Sequence, residues 1–157
     1  MPRREHLRRL PTVWVKQPIC FLTVCTHPRR PILTGQGIPA VLTDSWRVSL
    51  EINGWAIGQY VVMPDHVHFF ARPLSREKPI GGFMRDWKRW TAGEIIRLTR
   101  LGAPIWQPEF FDHVLRSAQS YGEKWAYVRE NPVRAGLVAT AEDWTHSGEC
   151  EVLRFKL

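Results

Sequence analysis

The segment Val61–Phe70, which reads VVMPDHVHFF, decides the fold because it places a turn between two strand-like runs. Its central residues, Met63–Asp65, suit a tight hairpin connection. In a strand, side chains alternate between faces, so we expect His66 and His68 to point the same way. Two adjacent imidazoles can share a metal ion. Taken alone, the segment fits two histidines on a half-wet strand face equally well.

Composition indicates a basic globular protein whose natural partner is a polyanion. The chain has 157 residues and a formal net charge of +7, which predicts a single domain over residues 1–157 and binding to nucleic acid. Eight tryptophans are available for the core or for base stacking. No apolar run approaches the roughly 18 residues of a membrane span. We therefore expect no membrane partner.

The three cysteines, Cys20, Cys25 and Cys150, follow no zinc-binding spacing, and no secretory signal precedes them. We interpret them as reduced thiols. This predicts a cytoplasmic protein, which would be nucleoid-associated if its partner is DNA.

Apolar periodicity and turn residues predict an alternating series of elements. We expect strands at 19–26, 55–62 and 66–72, helices at about 39–52, 79–99 and 117–130, a short extended piece at 105–111 and a short helix at 132–135. Ser117 or Ser120 can cap the third long helix, and Ser120 with Glu123 makes a capping box. A basic arm at about residues 1–18 and a polar tail from about 139, anchored by Trp144, flank this region.

This order predicts an α+β fold, a βαββαβ sandwich with helices on one side of an antiparallel sheet. A looser α+β arrangement, in which the piece near Trp106 is not a sheet strand, is the alternative.

The helix at about 79–99 carries cations of nearly one sign outside its apolar stripe, among them Arg85, Lys88 and Arg89. An ordinary solvated helix face would explain them. Self-repulsion between like charges is relieved when a polyanion lies on the helix, so we predict contact with nucleic acid.

A metal held by two histidines leaves coordination positions open, and the natural reaction on a polyanion is at a phosphodiester. Water, serine, histidine or tyrosine can then act as nucleophile. Of the three tyrosines, Tyr60 lies in a predicted strand and Tyr121 lies on the apolar stripe of its helix. Tyr127 lies off that stripe, on a face with Lys124 and Asn131. If a tyrosine acts, we expect it to be Tyr127.

Several short motifs together carry a family resemblance. They are Met63–His68 (MPDHVH), Trp106–Pro108 (WQP), Asp112–Arg116 (DHVLR) and Tyr127–Leu137 (YVRENPVRAGL). In this order and spacing, the chain resembles the single-tyrosine HUH transposases, and more closely the REP-associated tyrosine transposases. The resemblance runs from about Cys20 to Leu137. It weakens in the tail, where Asp143–Gly148 only partly matches the element that relatives often carry.

The resemblance implies a ferredoxin-like or RRM-like fold with the HUH pair on a central strand of the antiparallel sheet. It implies that His66 and His68 bind Mg²⁺ or Mn²⁺ and that Tyr127 attacks single-stranded DNA folded into a hairpin. The attack forms a 5′-phosphotyrosine link and frees a 3′-hydroxyl that can attack back, so no nucleotide cofactor is needed. The partner would be single-stranded or hairpin DNA, and the protein a monomer or a homodimer.

One helical turn after the tyrosine, Asn131 is implied as a further metal ligand, although it is equally placed to cap the short helix at Pro132. Phosphate contacts are predicted for Lys124 and for three arginines, Arg116, Arg129 and Arg134.

For two further residues we favour packing. His113, with Asp112, suits a packed position over a DNA contact, and Trp106 suits the core over base stacking.

Two other functions fit part of the pattern. A palindrome-binding protein that no longer cleaves would use the basic helix and arms alone. A metal-dependent phosphoesterase using water would use the histidines and leave Tyr127 without a role.

Overall fold

The computed structural model describes residues 18–74 and 78–155. The predicted basic arm lies outside the described residues except for Pro18, as do the last two residues of the tail. In chain order the elements are β1 (Ile19–Cys25), α1 (Ile38–Arg47), α2 (Ser49–Asn53), β2 (Trp55–Val62), β3 (His66–Pro73), α3 (Ile80–Thr99), β4 (Phe111–Leu115), α4 (Ala118–Val128), α5 (Asn131–Arg134), a 3₁₀ turn (Ala141–Asp143) and β5 (Ser147–Glu149).

The five strands form one antiparallel sheet in the order β4-β1-β3-β2-β5. The predicted α+β fold, with the histidine pair on a central strand, is therefore confirmed. His68 lies between Thr23 of β1 and Val61 of β2, and His66 lies opposite Cys25. Because β3 is bonded on both sides, the backbone that carries the histidines is fixed by two neighbouring strands.

One face of the sheet packs against α1 and α3. Val67, Phe69 and Ala71 of β3 point to this side, where they meet Trp46 of α1 and Trp87 of α3. These side chains are almost completely buried, and the two tryptophan rings stack with centroids 6.0 Å apart. This face is the main hydrophobic core.

The opposite face packs against α4, so the expectation of helices on one side only is wrong. Phe70 of β3 contacts Tyr121 and Trp125 of α4, with ring centroids 5.0 and 6.1 Å apart. The physical reason is that the central strands are apolar on both faces: β1 is buried along nearly its whole length. His66 and His68 point to this second side, toward α4.

The predicted helix at 39–52 is two helices that meet at Val48. The second helix ends at Asn53, close to the predicted bound of 52, because Gly54 adopts a positive φ of 74° that favours glycine. The long helix α3 has the predicted bounds to within one residue.

The extended piece predicted at 105–111 is not a sheet strand. Trp106 forms only an isolated bridge with Thr26, and the edge strand β4 begins at Phe111. Trp106 is buried and its indole N–H donates to Thr91 Oγ1 at 2.9 Å, which confirms the core interpretation. His113, predicted to be packed, is exposed, because β4 is an edge strand whose first four residues are all exposed.

The C-terminal tail adds the fifth strand, which the sequence pattern did not predict. Ser147–Glu149 pairs with β2, and Trp144 Nε1 donates to the carbonyl of Val62 at 3.0 Å. Trp144 thus anchors the tail as expected. No helix within residues 18–74 and 78–155 combines the length and apolar character needed to cross a bilayer.

Candidate functional site

The β2–β3 hairpin presents the histidine pair and is held from β1 and the loop after it. The N–H of Met63 donates to the carbonyl of His66 at 2.8 Å and closes the hairpin. The N–H groups of Thr26 and Leu33 donate to the carbonyls of Asp65 and Pro64, at 3.0 and 2.8 Å. The turn therefore has backbone partners on a neighbouring segment, which limits its motion.

The two imidazoles lie side by side, with ring centroids 4.8 Å apart and planes at 80°. His66 Nδ1 lies 2.8 Å from Asp65 Oδ1, and His68 Nδ1 lies 2.8 Å from Thr23 Oγ1. With each Nδ1 engaged, the Nε2 atoms are the nitrogens left for a ligand.

Burial, which is the largest effect, and the electrostatic effects of His66, Lys124 and Arg134 together lower the pKa of His68 to about 3. His68 is therefore neutral at pH 7, the state in which an imidazole donates a lone pair to a metal. Burial raises the pKa of the Asp65 carboxyl, but hydrogen bonds from His66 and Arg29 outweigh burial and leave the pKa below its usual value. Asp65 is an anion that faces the pair.

Tyr127 lies in the last turn of α4 and is 63% exposed. The guanidinium carbon of Arg134 lies 3.9 Å from its ring centroid, and Arg134 Nη2 donates to the Tyr127 carbonyl at 2.6 Å. Tyr121, by contrast, packs on Phe70 and its hydroxyl is buried. The expected division between a core tyrosine and an accessible one is present.

Asn131 is the first residue of α5, and its Oδ1 accepts a hydrogen bond from Arg134 Nη2. The N-cap of α5 is Glu130, and no side chain caps this helix. The capping interpretation of Asn131 is therefore wrong. Its amide oxygen instead lies beside the cation that also contacts Tyr127.

Two cationic side chains, Lys124 on α4 and Arg134 on α5, lie near the histidines. Lys124 Nζ lies 4.8 Å above the ring of Phe21, and that ring stacks on His68 with centroids 5.3 Å apart. Arg134 bridges Tyr127 and Asn131 and lies close enough to His68 to affect its pKa. The structure thus gathers the predicted histidines, Lys124, Arg134, Tyr127 and Asn131 on one side of the sheet.

The predicted ligands of a divalent ion are two imidazoles and one amide oxygen, so none of them is a carboxylate. Among residues 18–74 and 78–155, no three His, Cys, Asp or Glu side chains cluster as a metal site. Two imidazoles in their neutral form and an amide oxygen are ligands that Mn²⁺ accepts. The residues present fit an open two-histidine site that needs a third ligand of another kind.

The cations of α3 lie on the other side of the molecule. Arg85, Lys88 and Arg89 belong to the helix that packs on the face opposite the histidines. Lys88 Nζ donates to the Pro108 carbonyl at 2.7 Å, and Arg85 Nε lies 3.4 Å from Asp86. They are therefore not part of the surface that carries Tyr127.

The other two predicted arginines differ in their surroundings. Arg129 is paired with Glu142 at 3.0 Å, and Arg116 is exposed after β4.

Sequence reasoning did not assign a role to three residues that contact the pair, Thr23, Phe21 and Asp65. It also missed Arg29, which contacts Asp65. Arg29 Nε bonds Asp65 Oδ2 at 3.0 Å. Asp65 precedes His66 directly, and that adjacency was an available signal. The other three come from β1 and the loop after it, and only the strand register places them.

Two curated proteins are similar to this chain. A REP-associated tyrosine transposase of Escherichia coli K12 is 30% identical over 97 residues, which are 62% of this chain and 53% of that protein. An uncharacterized protein of Haemophilus influenzae Rd is 23% identical over 97 residues, 49% of this chain and 54% of that protein. The chain therefore spans about half the length of the curated relatives it matches. No protein-family model matches it.

Two solved structures share the fold. A REP-associated tyrosine transposase bound to a REP hairpin has a TM-score of 0.70 and 26% sequence identity, over 85% of this chain and 78% of that chain. A Deinococcus radiodurans protein that has been suggested to be a transposase has a TM-score of 0.56 and 20% identity, over 74% of this chain and 92% of that chain. The resemblance to REP-associated tyrosine transposases that the sequence predicts is confirmed.

Proposed function

We propose that this chain, similar to the REP-associated tyrosine transposases, is a metal-dependent single-stranded DNA transposase that cleaves and rejoins hairpin DNA. The observation that carries the proposal is the gathering of a half-buried histidine pair, two cations and an exposed tyrosine on one side of the sheet. A pair of adjacent imidazoles beside an accessible hydroxyl and positive charge suits attack on a phosphodiester.

In the cleavage step, Tyr127 Oη attacks the phosphorus of one DNA strand. The new bond joins the tyrosine oxygen to phosphorus, and the bond between phosphorus and the 3′-oxygen breaks. Because Tyr127 is 63% exposed, its proton passes to water, and the leaving 3′-oxygen takes a proton from water. The products are a 5′-phosphotyrosine link and a free 3′-hydroxyl.

Rejoining reverses these bonds. A 3′-hydroxyl attacks the phosphotyrosine, releases Tyr127 and restores a phosphodiester. The number of phosphoester bonds is unchanged in each step, so no nucleotide cofactor is consumed.

We propose His66, His68 and Asn131 as the metal ligands. When bound, a divalent ion, Mg²⁺ or Mn²⁺, supplies Lewis-acid polarisation of a non-bridging phosphate oxygen. The chain's own contribution is charge: Lys124 and Arg134 lie beside Phe21 and Tyr127, where a phosphate that reaches Tyr127 would meet them. Arg116 and Arg129 extend the cationic surface. The α3 cations Arg85, Lys88 and Arg89 would contact DNA that passes to the other face.

The test uses the full chain with single-stranded oligonucleotides that fold into REP-type hairpins, in Mn²⁺ or Mg²⁺. We expect a covalent protein–DNA adduct on a denaturing gel, which Tyr127→Phe abolishes and EDTA prevents. Tyr121→Phe removes the same hydroxyl from a buried tyrosine of the same helix and should leave the adduct yield unchanged. An adduct that persists in Tyr127→Phe would identify another nucleophile.

Two other results would replace the proposal. Hairpin binding that EDTA does not affect, with no adduct in any metal, would identify a palindrome-binding protein that does not cleave. Free 5′-phosphate without a protein link would identify a phosphoesterase that uses water.

A further inference from the structure

Each histidine of the pair is held at Nδ1 by one side chain of its own. We infer that Asp65 and Thr23, with Arg29 behind Asp65, are positioning residues that fix His66 and His68 as Nδ1–H tautomers. Both Nε2 lone pairs are then free for one ligand. This inference rests on the proposed function, because it gives the hydrogen bonds a purpose in metal binding.

Asp65 determines the tautomer of His66. A carboxylate only accepts hydrogen bonds, so the 2.8 Å contact between its Oδ1 and His66 Nδ1 requires a proton on Nδ1. Its second oxygen, Oδ2, accepts from Arg29 Nε at 3.0 Å. With both carboxylate oxygens engaged, the side chain has little freedom to rotate away from the imidazole.

Arg29 and Thr26 both hold Asp65, and the backbone of Arg29 is strained. Arg29 has a φ of 40°, in the left-handed region that residues other than glycine rarely adopt. Backbone strain of this kind persists where surrounding structure enforces it, often beside functional groups. The buried Thr26 connects the two residues: its carbonyl accepts from the N–H of Arg29 at 2.8 Å, and its own N–H and hydroxyl donate to the Asp65 carbonyl at 3.0 and 3.2 Å.

Thr23 acts on His68 from the neighbouring strand. It lies opposite His68 in the β1–β3 register, and its Oγ1 lies 2.8 Å from His68 Nδ1. A hydroxyl can donate or accept, and the inference requires that it accept. Phe21 stacks on the same imidazole with 18° between the two ring planes, and this contact fixes the plane of the imidazole. Thr23 then determines which edge of the ring carries Nδ1 toward β1.

The tautomers can be observed directly, without metal or DNA. In the ¹⁵N-histidine-labelled full chain at pH 8, long-range ¹H–¹⁵N correlation should show Nδ1–H tautomers at both residues. Thr23→Val, which keeps the shape and removes the hydroxyl, should convert His68 to a mixture of Nδ1–H and Nε2–H tautomers. Thr23→Ser keeps the hydroxyl and should retain the Nδ1–H tautomer. Asp65→Ala should produce the same mixture at His66 and leave His68 unchanged. Circular dichroism establishes that each variant is folded.

Mn²⁺ affinity gives a second readout, measured by the electron paramagnetic resonance signal of the free ion. Loss of such hydrogen-bond partners typically weakens metal binding by about 10- to 100-fold. We expect at least about tenfold weakening in Thr23→Val and Asp65→Ala, and a smaller loss in Arg29→Gln. Arg47→Gln removes an arginine from another exposed Arg–Asp pair, with Asp44, and should bind Mn²⁺ as the wild type does.

Unchanged tautomers in Thr23→Val and Asp65→Ala, or unchanged Mn²⁺ affinity in both, would overturn the inference. Failure of the proposed function gives a different result. In that case, His66→Ala and His68→Ala would bind Mn²⁺ as the wild type does, while the tautomers of the wild type still report whether Asp65 and Thr23 position the rings.

Discussion

The three tyrosines differ in the one property that a nucleophile needs, access to its hydroxyl. Burial raises the pKa of Tyr60, and it raises the pKa of Tyr121 to about 12. Both hydroxyls are therefore harder to ionise than an ordinary phenol. Tyr127 is exposed, with a guanidinium against its ring. Helical spacing predicted this division, because Tyr121 continues an apolar stripe and Tyr127 does not.

Arg72 is a cation on β3, and its burial leads to a prediction about the stability of the protein. Its side chain is completely buried, Nη1 donates to the Arg154 carbonyl at 2.7 Å, and Nε and Nη2 have no hydrogen-bond partner within the described residues. Burial lowers its pKa to about 10. Replacing a buried ionic group by an apolar one of similar volume is often stabilising, by about 1–4 kcal/mol. We expect Arg72→Met to raise the free energy of unfolding by about 1 kcal/mol.

Urea unfolding at pH 7 measures this change. Arg47→Met is the matched control, because Arg47 is exposed on α1 and its replacement should alter stability by less than about 0.5 kcal/mol. A clear loss of stability in Arg72→Met would mean that the guanidinium is well compensated in the folded protein.

At the scale of elements, α4 matters most because it carries Lys124 and Tyr127 to the sheet. Its N-cap is Ser117, whose hydroxyl accepts from the N–H of Ser120 at 3.1 Å while Ser120 Oγ accepts from the N–H of Ser117. The predicted box of Ser120 with Glu123 is wrong. Glu123 instead accepts from Gln119 at 3.1 Å, one turn earlier.

Ser117→Ala tests this cap. Loss of a serine N-cap typically costs about 1 kcal/mol, and α4 buries only its apolar side, so we expect a loss of that size in urea unfolding. Fraying of α4 should also increase amide hydrogen exchange in its first turn. Ser117→Asp keeps an N-cap acceptor and should retain most of the stability. Equal losses in both variants would contradict the assigned cap.

The types of the long helices and of β1, β2 and β3 were predictable from sequence, and the sides on which the helices pack were not. The stripe of Tyr121, Trp125 and Val128 shows that α4 is buried on one side, but it does not say against which face of the sheet. The run ICFLTVC in β1 did contain that information, since a strand that is apolar at nearly every position must be covered on both faces. Residues that meet by register, such as Thr23 and His68, need the pairing itself.

At the scale of the whole molecule, net charge predicted a polyanion partner without locating it. The cations lie on both sides of the sheet: Lys124 and Arg134 near the histidines, and the α3 cations on the opposite face. A charge count has no direction, so only the topology separates the two groups. A nucleic-acid strand that contacts both groups of cations must pass around an edge of the sheet.

Burial also affects two thiols outside the candidate site. Burial and, to a smaller extent, the nearby carboxylate of Asp112 together raise the pKa of Cys20, on β1, to about 11. Burial also raises the pKa of Cys150, beside β5, to about 11, although Arg47 acts in the opposite direction. In the unfolded chain, both thiols have the ordinary value of about 9.

Folding stability should therefore fall as pH rises through the window from 9 to 11. Above pH 9 the unfolded chain releases these two protons, whereas the folded chain keeps them until about pH 11, so alkaline conditions favour unfolding. Between pH 8 and pH 10 we expect a loss of about 2 kcal/mol, measured by urea unfolding under reducing conditions. The double variant Cys20→Ala, Cys150→Ala should have lower stability at pH 8 but a flatter decline. Equal declines in both proteins would show that other groups govern the alkaline limit.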